Sequence, residues 1–188
     1  TGMSGGLGTL LSIGYGLDKT LYAGGSFTDA GGSGADYFAK WNGSAWSVVK
    51  SATSIGAVVR AQATGADGRI YVGGDFTNSD GIAAADYIAV YDPVANTYAA
   101  LGTGAASLRV FALAFDETGN LFAGGDFTGM GGIANTAGIA KWNGSAWVSV
   151  GNVAGGTGAV LGLASDGKGG MYAVGNFTSI GGVSAVNA

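Results

Sequence analysis

The sequence contains neither cysteine nor histidine, a single proline and a single glutamate, Glu117. Without cysteine there are no disulfide staples and no thiolate metal sites, and the redox compartment cannot be read from thiol usage. Without histidine, imidazole acid–base chemistry, Ser-His triads and the usual zinc sites are excluded within this chain. A carboxylate pair for glycoside hydrolysis would have to come from aspartates such as Asp75 and Asp126. Charge is also scarce: charged residues make up 11% of the chain, about half the share usual for a soluble domain. The net charge is −4 and the eight Lys and Arg residues are scattered. No basic stripe exists to release counterions from phosphates or to grip an anionic bilayer, so neither nucleic acid nor a membrane surface is an expected partner. No apolar run of about eighteen residues escapes interruption by glycine, which excludes a membrane-spanning helix. The segment from Thr1 onward has no charged region followed by an apolar run, so no signal peptide is read there unless it has been removed.

What the chain has in abundance is glycine, 39 of 188 residues, beside a hydrophobic share of 47%. Collagen is excluded because no three-residue glycine period appears. Disorder is excluded because apolar and aromatic residues recur at regular spacing. Glycine used in this way marks tight turns between short strands and points to an all-β protein. Low charge, no cysteine and many Gly, Ala, Ser, Thr and Asn residues suit a secreted bacterial or viral surface protein.

Internal repetition is the dominant signal. Four segments align: Leu21-Tyr-Ala-Gly-Gly-Ser-Phe-Thr28, Ile70-Tyr-Val-Gly-Gly-Asp-Phe-Thr77, Leu121-Phe-Ala-Gly-Gly-Asp-Phe-Thr128 and Met171-Tyr-Ala-Val-Gly-Asn-Phe-Thr178. Their aromatics Tyr22, Tyr71, Phe122 and Tyr172 are 49, 51 and 50 residues apart. A second block follows the first three: Phe38-Ala-Lys-Trp-Asn-Gly-Ser-Ala-Trp46, Ile88-Ala-Val-Tyr-Asp-Pro-Val-Ala-Asn-Thr-Tyr98 and Ile139-Ala-Lys-Trp-Asn-Gly-Ser-Ala-Trp147.

Each unit parses into four short strands. The first is an apolar run such as Val110-Phe-Ala-Leu-Ala-Phe115, and a turn such as Ala66-Asp-Gly-Arg69 leads to the second, the Tyr-Ala-Gly-Gly segment. The third ends at Trp41, Tyr91 or Trp142. Asn42-Gly43 and Asn143-Gly144 then read as type I′ hairpin turns, with positive φ at both residues; the middle unit has a longer turn, residues 92–96. A unit this thin cannot bury both faces alone, so the units are expected to stack. Radial stacking gives a β-propeller of four-stranded antiparallel blades of about fifty residues, one array over 1–188. The blades fall at 7–50, 56–101 and 105–150, with a partial fourth at 157–188. Phe27, Phe76, Phe127 and Phe177 are the expected plugs between blades. The pairs Gly24-Gly25, Gly73-Gly74 and Gly124-Gly125 are expected to let neighbouring backbones approach. A parallel β-helix is the rival, but its coils are shorter and need no hairpin in each unit.

The Gly73-Gly74 pair, Tyr91 and the phrase from Tyr91 to Tyr98 resemble Kelch-type propeller repeats. The fuller signature, Ala-Gly-Gly-Asp-Phe-Thr followed by Ile-Ala-Lys-Trp-Asn-Gly-Ser-Ala-Trp, is similar to propeller repeats of large secreted bacterial and phage-associated proteins. The resemblance implies a fold and a scaffold role, and it carries over no catalytic residue. The fourth unit supplies two strands and stops at Asn187-Ala188, where the third should begin. Three blades and a half do not close a ring of four to eight. Either the chain is a piece of a longer protein, or a neighbouring chain covers the open edge.

For sites, the expectation is no catalytic residue, no metal and no cofactor. Asp75 and Asp126 occupy one repeat position, with Ser26 and Asn176 at the other two, and read as bonding turn amides, against a ring of cation ligands. The Asp-Gly turns lack the alternating acidic spacing of a calcium loop. Asn42, Asn143 and Asn176 fit the N-glycosylation pattern but are explained by the turns and the repeat. The pairs Trp41/Trp46 and Trp142/Trp147 read as packing, with a sugar-stacking platform as the alternative. The expected function is a non-enzymatic extracellular module, structural or adhesive. It would bind a protein partner or itself through the variable loops 29–35, 78–85 and 129–136, or through the open edge of the last unit; the alternative is a lectin-like propeller that binds glycan.

Overall fold

A computed structural model describes residues 8–51, 54–102 and 108–184. The described residues are all-β but for one short 3-10 turn at Ser79–Gly81. Three four-stranded antiparallel sheets follow one another, each a simple meander in chain order. The first contains β1 (Leu10–Tyr15), β2 (Leu21–Gly25), β3 (Phe38–Trp41) and β4 (Trp46–Val48). The second contains β5 (Val59–Thr64), β6 (Ile70–Gly74), β7 (Ile88–Asp92) and β8 (Thr97–Ala99). The third contains β9 (Val110–Phe115), β10 (Leu121–Gly125), β11 (Ile139–Trp142) and β12 (Trp147–Val148). Next come β13 (Val153–Ala154), β14 (Ala159–Ser165), β15 (Met171–Asn176), β16 (Ser179–Ile180) and β17 (Val183–Ser184). Here β14 and β15 form a two-stranded sheet, while β13, β16 and β17 form a small sheet of their own. The sequence expectation for Asn187-Ala188 lies outside the described residues.

The turn between first and second strands is built the same way in every unit. An aspartate carboxylate accepts backbone N–H groups of the turn: Asp18 from Thr20, Asp67 from Arg69, Asp116 from Thr118 and Asn120, Asp166 from Lys168 and Gly170. The third-to-fourth-strand turn departs from the type I′ expectation. Positive φ belongs to Gly43 and Gly144 and not to the asparagines before them. Trp41 pairs with Trp46 and Trp142 with Trp147, and Asn42 and Asn143 N–H donate to the Ala45 and Ala146 carbonyls, so the two residues at the crossing are Gly-Ser, one step beyond the expected Asn-Gly. Asn42 Oδ1 accepts the N–H groups of Ser44 and Ala45, and Asn143 does the same for Ser145 and Ala146. Asp92 repeats the device with Val94 and Ala95 in the longer middle turn. A side-chain acceptor at the first position therefore decides this turn, and glycine serves only the residue after it.

The units join through their first strands: β1 lies along β5, β5 along β9 and β9 along β14. A glycine marks each joint. A Cβ placed on Gly24, Gly73 or Gly124 would come within 2.6 Å of a Cγ1 of Val59, Val110 or Val160, the first or second residue of the next unit's first strand. All three valines are fully buried. The second glycine of each pair has a different task. A Cβ on Gly25, Gly74, Gly125 or Gly175 would overlap a carbonyl oxygen at or just before the start of its own unit's first strand, beside the register shift that each first hairpin carries. The expected close approach of neighbouring backbones is thus found inside each unit, while between units a side chain fills the space.

The core lies between the units. One cluster joins Tyr22, Phe38 and Val49 of the first unit to Val59, Phe76, Ala89, Tyr91 and Tyr98 of the second. Another joins Ile88 and Leu101 to Val110, Phe127, Ala140 and Trp147. A third joins Ile139 to Val160 and Phe177. Phe27 packs with Ala30, Ala35 and Ala39 of its own unit. All four phenylalanines are buried.

Candidate functional site

The carboxylates of Asp75 and Asp126, expected to bond turn amides, are each held by an arginine. Asp75 takes a two-pronged ion pair from Arg60, Nε to Oδ1 at 2.5 Å and Nη2 to Oδ2 at 2.7 Å. Asp126 takes Nε and Nη2 of Arg109 at 3.1 and 2.5 Å, and its Oδ1 also accepts the Arg109 N–H. Phe111 is shared by the two guanidinium groups, its ring centre 5.3 Å from Arg60 Cζ and 5.2 Å from Arg109 Cζ. The two ion pairs and the ring they share form an Arg–Asp ladder that ties the second unit to the third. The hydrogen bonds that Arg60 donates to Asp75 push the guanidinium basicity up against the opposing effect of burial. Both carboxylates are committed to arginine, which leaves the cation-ring alternative without free ligands at these two positions. The pairing was present in the sequence: the two units with aspartate here carry arginine at the start of the first strand, and the units with Ser26 and Asn176 do not.

The tryptophan pairs are cross-strand contacts. Trp41 and Trp46 have ring centres 5.3 Å apart at 53°, Trp142 and Trp147 lie 5.5 Å apart at 60°, and Tyr91 and Tyr98 repeat the arrangement at 5.0 Å and 42°. Within each pair the rings are tilted, so the two do not make one continuous flat face. Trp147 is buried and its Nε1 donates to the Leu101 carbonyl at 3.0 Å, tying the third unit to the second. Trp46 is half-buried against Phe27. Trp142 borders a cleft between units of about 240 Å³, beside Tyr71, Arg69, Asp92 and Thr97. Burial raises the Tyr71 hydroxyl to about 12, with Asp67 adding to the shift, so the cleft holds a neutral phenol. Trp41 borders a shallower hollow with Tyr15, Asp18 and Lys19 on the first unit.

The loops between second and third strands fold back on themselves. Ala30, Ala35, Ser79, Ala85, Met130 and Thr136 are buried. Asp29 N–H donates to Asp36 and Asn78 N–H to Asp86, while Thr136 Oγ1 accepts from Met130 and donates to the Ile133 carbonyl. What reaches solvent at their tips is mostly small, with Ile133 the exception. The side chain of Asp80 in the second loop pairs with Lys50 of the first unit. Among the potential glycan acceptors, Asn42 and Asn143 spend their Oδ1 atoms on their turns, and Asn176 Oδ1 accepts from Thr157 N–H at 3.3 Å.

The two ends of the series are unlike its joints. Leu10, Ile13 and Tyr15 are exposed on the first unit. On the last, Tyr172 is 67% exposed, whereas its counterpart Tyr22 is 2% exposed. Val174 stands where the other units have the jointing glycine, and it faces Gly162 across the sheet where the others have serine or alanine.

No protein-family model matches the chain, and no curated protein matches it. Solved structures share its fold. One is the extracellular domain of the "putative one component system BT4673" from B. thetaiotaomicron, with a TM-score of 0.54 and 12% identity. Another, the same domain described as belonging to a "putative hybrid two component system", gives 0.55 and 12%. Each alignment covers 88% of this chain but 20% of the other, so the chain spans about a fifth of their length. At this identity the likeness is one of fold.

Proposed function

We propose that the chain is an arc of a Kelch-like β-propeller that acts outside the cell as a non-enzymatic interaction scaffold. The observation that carries the architecture is the joint itself. First strands run side by side from unit to unit, each fixed by a glycine that admits the next unit's valine, while the fourth strands make their main contacts within their own sheets. This supports blades set around an axis, with first strands innermost. The extracellular setting is supported by the solved domains of like fold, and the scaffold role by carboxylates engaged in ion pairs and turns.

The absence of cysteine makes the architecture directly testable. Spin labels on cysteines introduced in neighbouring units should lie closer together on the first strands than on the outer turns at residues 43, 95 and 144. Equal spacing at both radii would replace the propeller with a linear stack. Protease accessibility on intact source cells tests the location, and cleavage only after lysis would count against it. The cleft at Trp142, with polar groups beside an aromatic wall, favours a second and narrower reading as a glycan site. Glycan binding that survives Trp142→Ala would remove it.

A further inference from the structure

The strand pairing of the fourth unit is half complete. In the first three units the second strand pairs on one side with the first and on the other with the third. Gly125 N–H, for example, donates outward to the Gly138 carbonyl at 3.0 Å. Among the described residues β15 pairs with β14 alone, so the outward groups of Met171 and Ala173, counterparts of Leu121 and Ala123, have no strand beside them.

Next to that edge lies an apolar cleft of about 380 Å³. Its wall on the third unit is Phe122, Ile139 and Val150. The same three positions recur at both earlier joints, and there they are filled. Tyr22, Phe38 and Val49 pack against Ala89, Tyr91 and Tyr98. Tyr71, Ile88 and Leu101 pack against Ala140, Trp142 and Trp147. In each case the filling groups are an alanine and an aromatic from the next unit's third strand and an aromatic from its fourth.

We propose that the β15 edge and this cleft receive a β-hairpin of the repeat's own third-and-fourth-strand type, supplied by a separate polypeptide. Its sequence pattern is bulky–Ala–x–aromatic, a turn opened by Asn or Asp, and a second aromatic. Backbone pairing to β15 supplies affinity, and the two aromatics entering the cleft supply selectivity. A second folded copy of the chain has no such hairpin to lend, because β3–β4, β7–β8 and β11–β12 are each seated in their own sheets. The proposal rests on the stacking of units described above, but not on whether the stack is radial. A failed radial test would leave this one standing.

The probe is a synthetic peptide with the sequence of residues 138–149, labelled at its N-terminus and titrated into the whole chain. Saturable one-to-one binding is expected, with slowed amide exchange at residues 171, 173 and 175. Ala173→Pro removes an outward N–H on an edge strand, where proline is tolerated. Val150→Lys places a charge in the cleft wall. Each variant, and a peptide with both tryptophans replaced by alanine, should weaken binding by about tenfold or more. If Ala173→Pro does not fold, Val150→Lys decides. Absence of saturable binding overturns the proposal. So does binding that ignores Val150→Lys, which places the peptide in an earlier unit by strand exchange. So does a dimer of the chain that protects residues 171–175 without peptide.

Discussion

Replacing Gly124 with alanine probes the joint between the third and fourth units at one atom. The added Cβ would meet Val160 Cγ1 at 2.6 Å, Val160 Cβ at 3.0 Å and Leu163 Cδ1 at 3.3 Å. Val160 is fully buried and β-branched, so it has no second rotamer into which it can retreat. Overpacking of this kind costs up to about 3 kcal/mol. Removing a glycine from a strand interior returns up to about 1 kcal/mol. The net expectation is a loss of about 2 kcal/mol, or a Tm lower by about 4–8 °C for a chain of this size. Val160→Ala deletes two buried methyl groups and alone costs about 2 kcal/mol. In the double variant the clash is gone, so the total should stay near 2 and not reach 4, a coupling of about 2 kcal/mol. Urea unfolding of the four proteins, followed by both fluorescence and far-UV dichroism, measures this cycle. Additive costs, or a Gly124→Ala protein as stable as the parent, would refute the jointing role of the glycine.

Two further outcomes follow from single contacts. Trp147→Phe keeps the ring in its buried site but strands the Leu101 carbonyl that Nε1 satisfies, at a cost of about 1–3 kcal/mol in urea unfolding; Trp46→Phe, at a half-buried position, should cost less than about 1 kcal/mol. Asp116 loses ionic character to burial, but hydrogen bonds from Asn120 and Thr118 outweigh that and hold its carboxyl down at about 2. Because the folded-state value is depressed, its stabilisation is complete above the unfolded value near 4 and disappears as pH falls toward 2. Asp116→Asn should therefore lower the urea midpoint at pH 7 and leave it close to the parent's near pH 2.

Much of the fold was legible because repetition converts weak local signals into strong ones. One Tyr-Ala-Gly-Gly segment is an ambiguous strand, but recurrence at a spacing near fifty fixes its role and that of the turns around it. The first strand at Val110–Phe115 and the strand ends at Trp41 and Trp142 lie where the pattern puts them. The turn type was not legible from Asn-Gly alone, since the same dipeptide can centre a I′ turn or open a turn centred one residue later and led by the asparagine acceptor. The register of the following tryptophan distinguishes them, and register is a tertiary fact. The Arg–Asp ladder was legible in principle, because arginine tracks aspartate from unit to unit, but the partners are 15 and 17 residues apart and meet only across the bulged first hairpin. The Trp142 cleft was not legible, because its polar side belongs to the preceding unit.

The departures from repetition are concentrated at the ends, and they have a common steric sense. An internal joint sets a valine from one unit over a glycine of the unit before, in a space with no room for a Cβ. The incoming position on the first unit holds Leu10 and the receiving position on the last holds Val174, both larger than their internal counterparts. Stacking one chain on the next in the internal geometry would press leucine onto valine where valine onto glycine already fills the gap. Repeats with matched ends invite open-ended head-to-tail association, because a heterologous contact that does not close continues as a filament. Leucine over valine therefore opposes that register between two copies of these 188 residues.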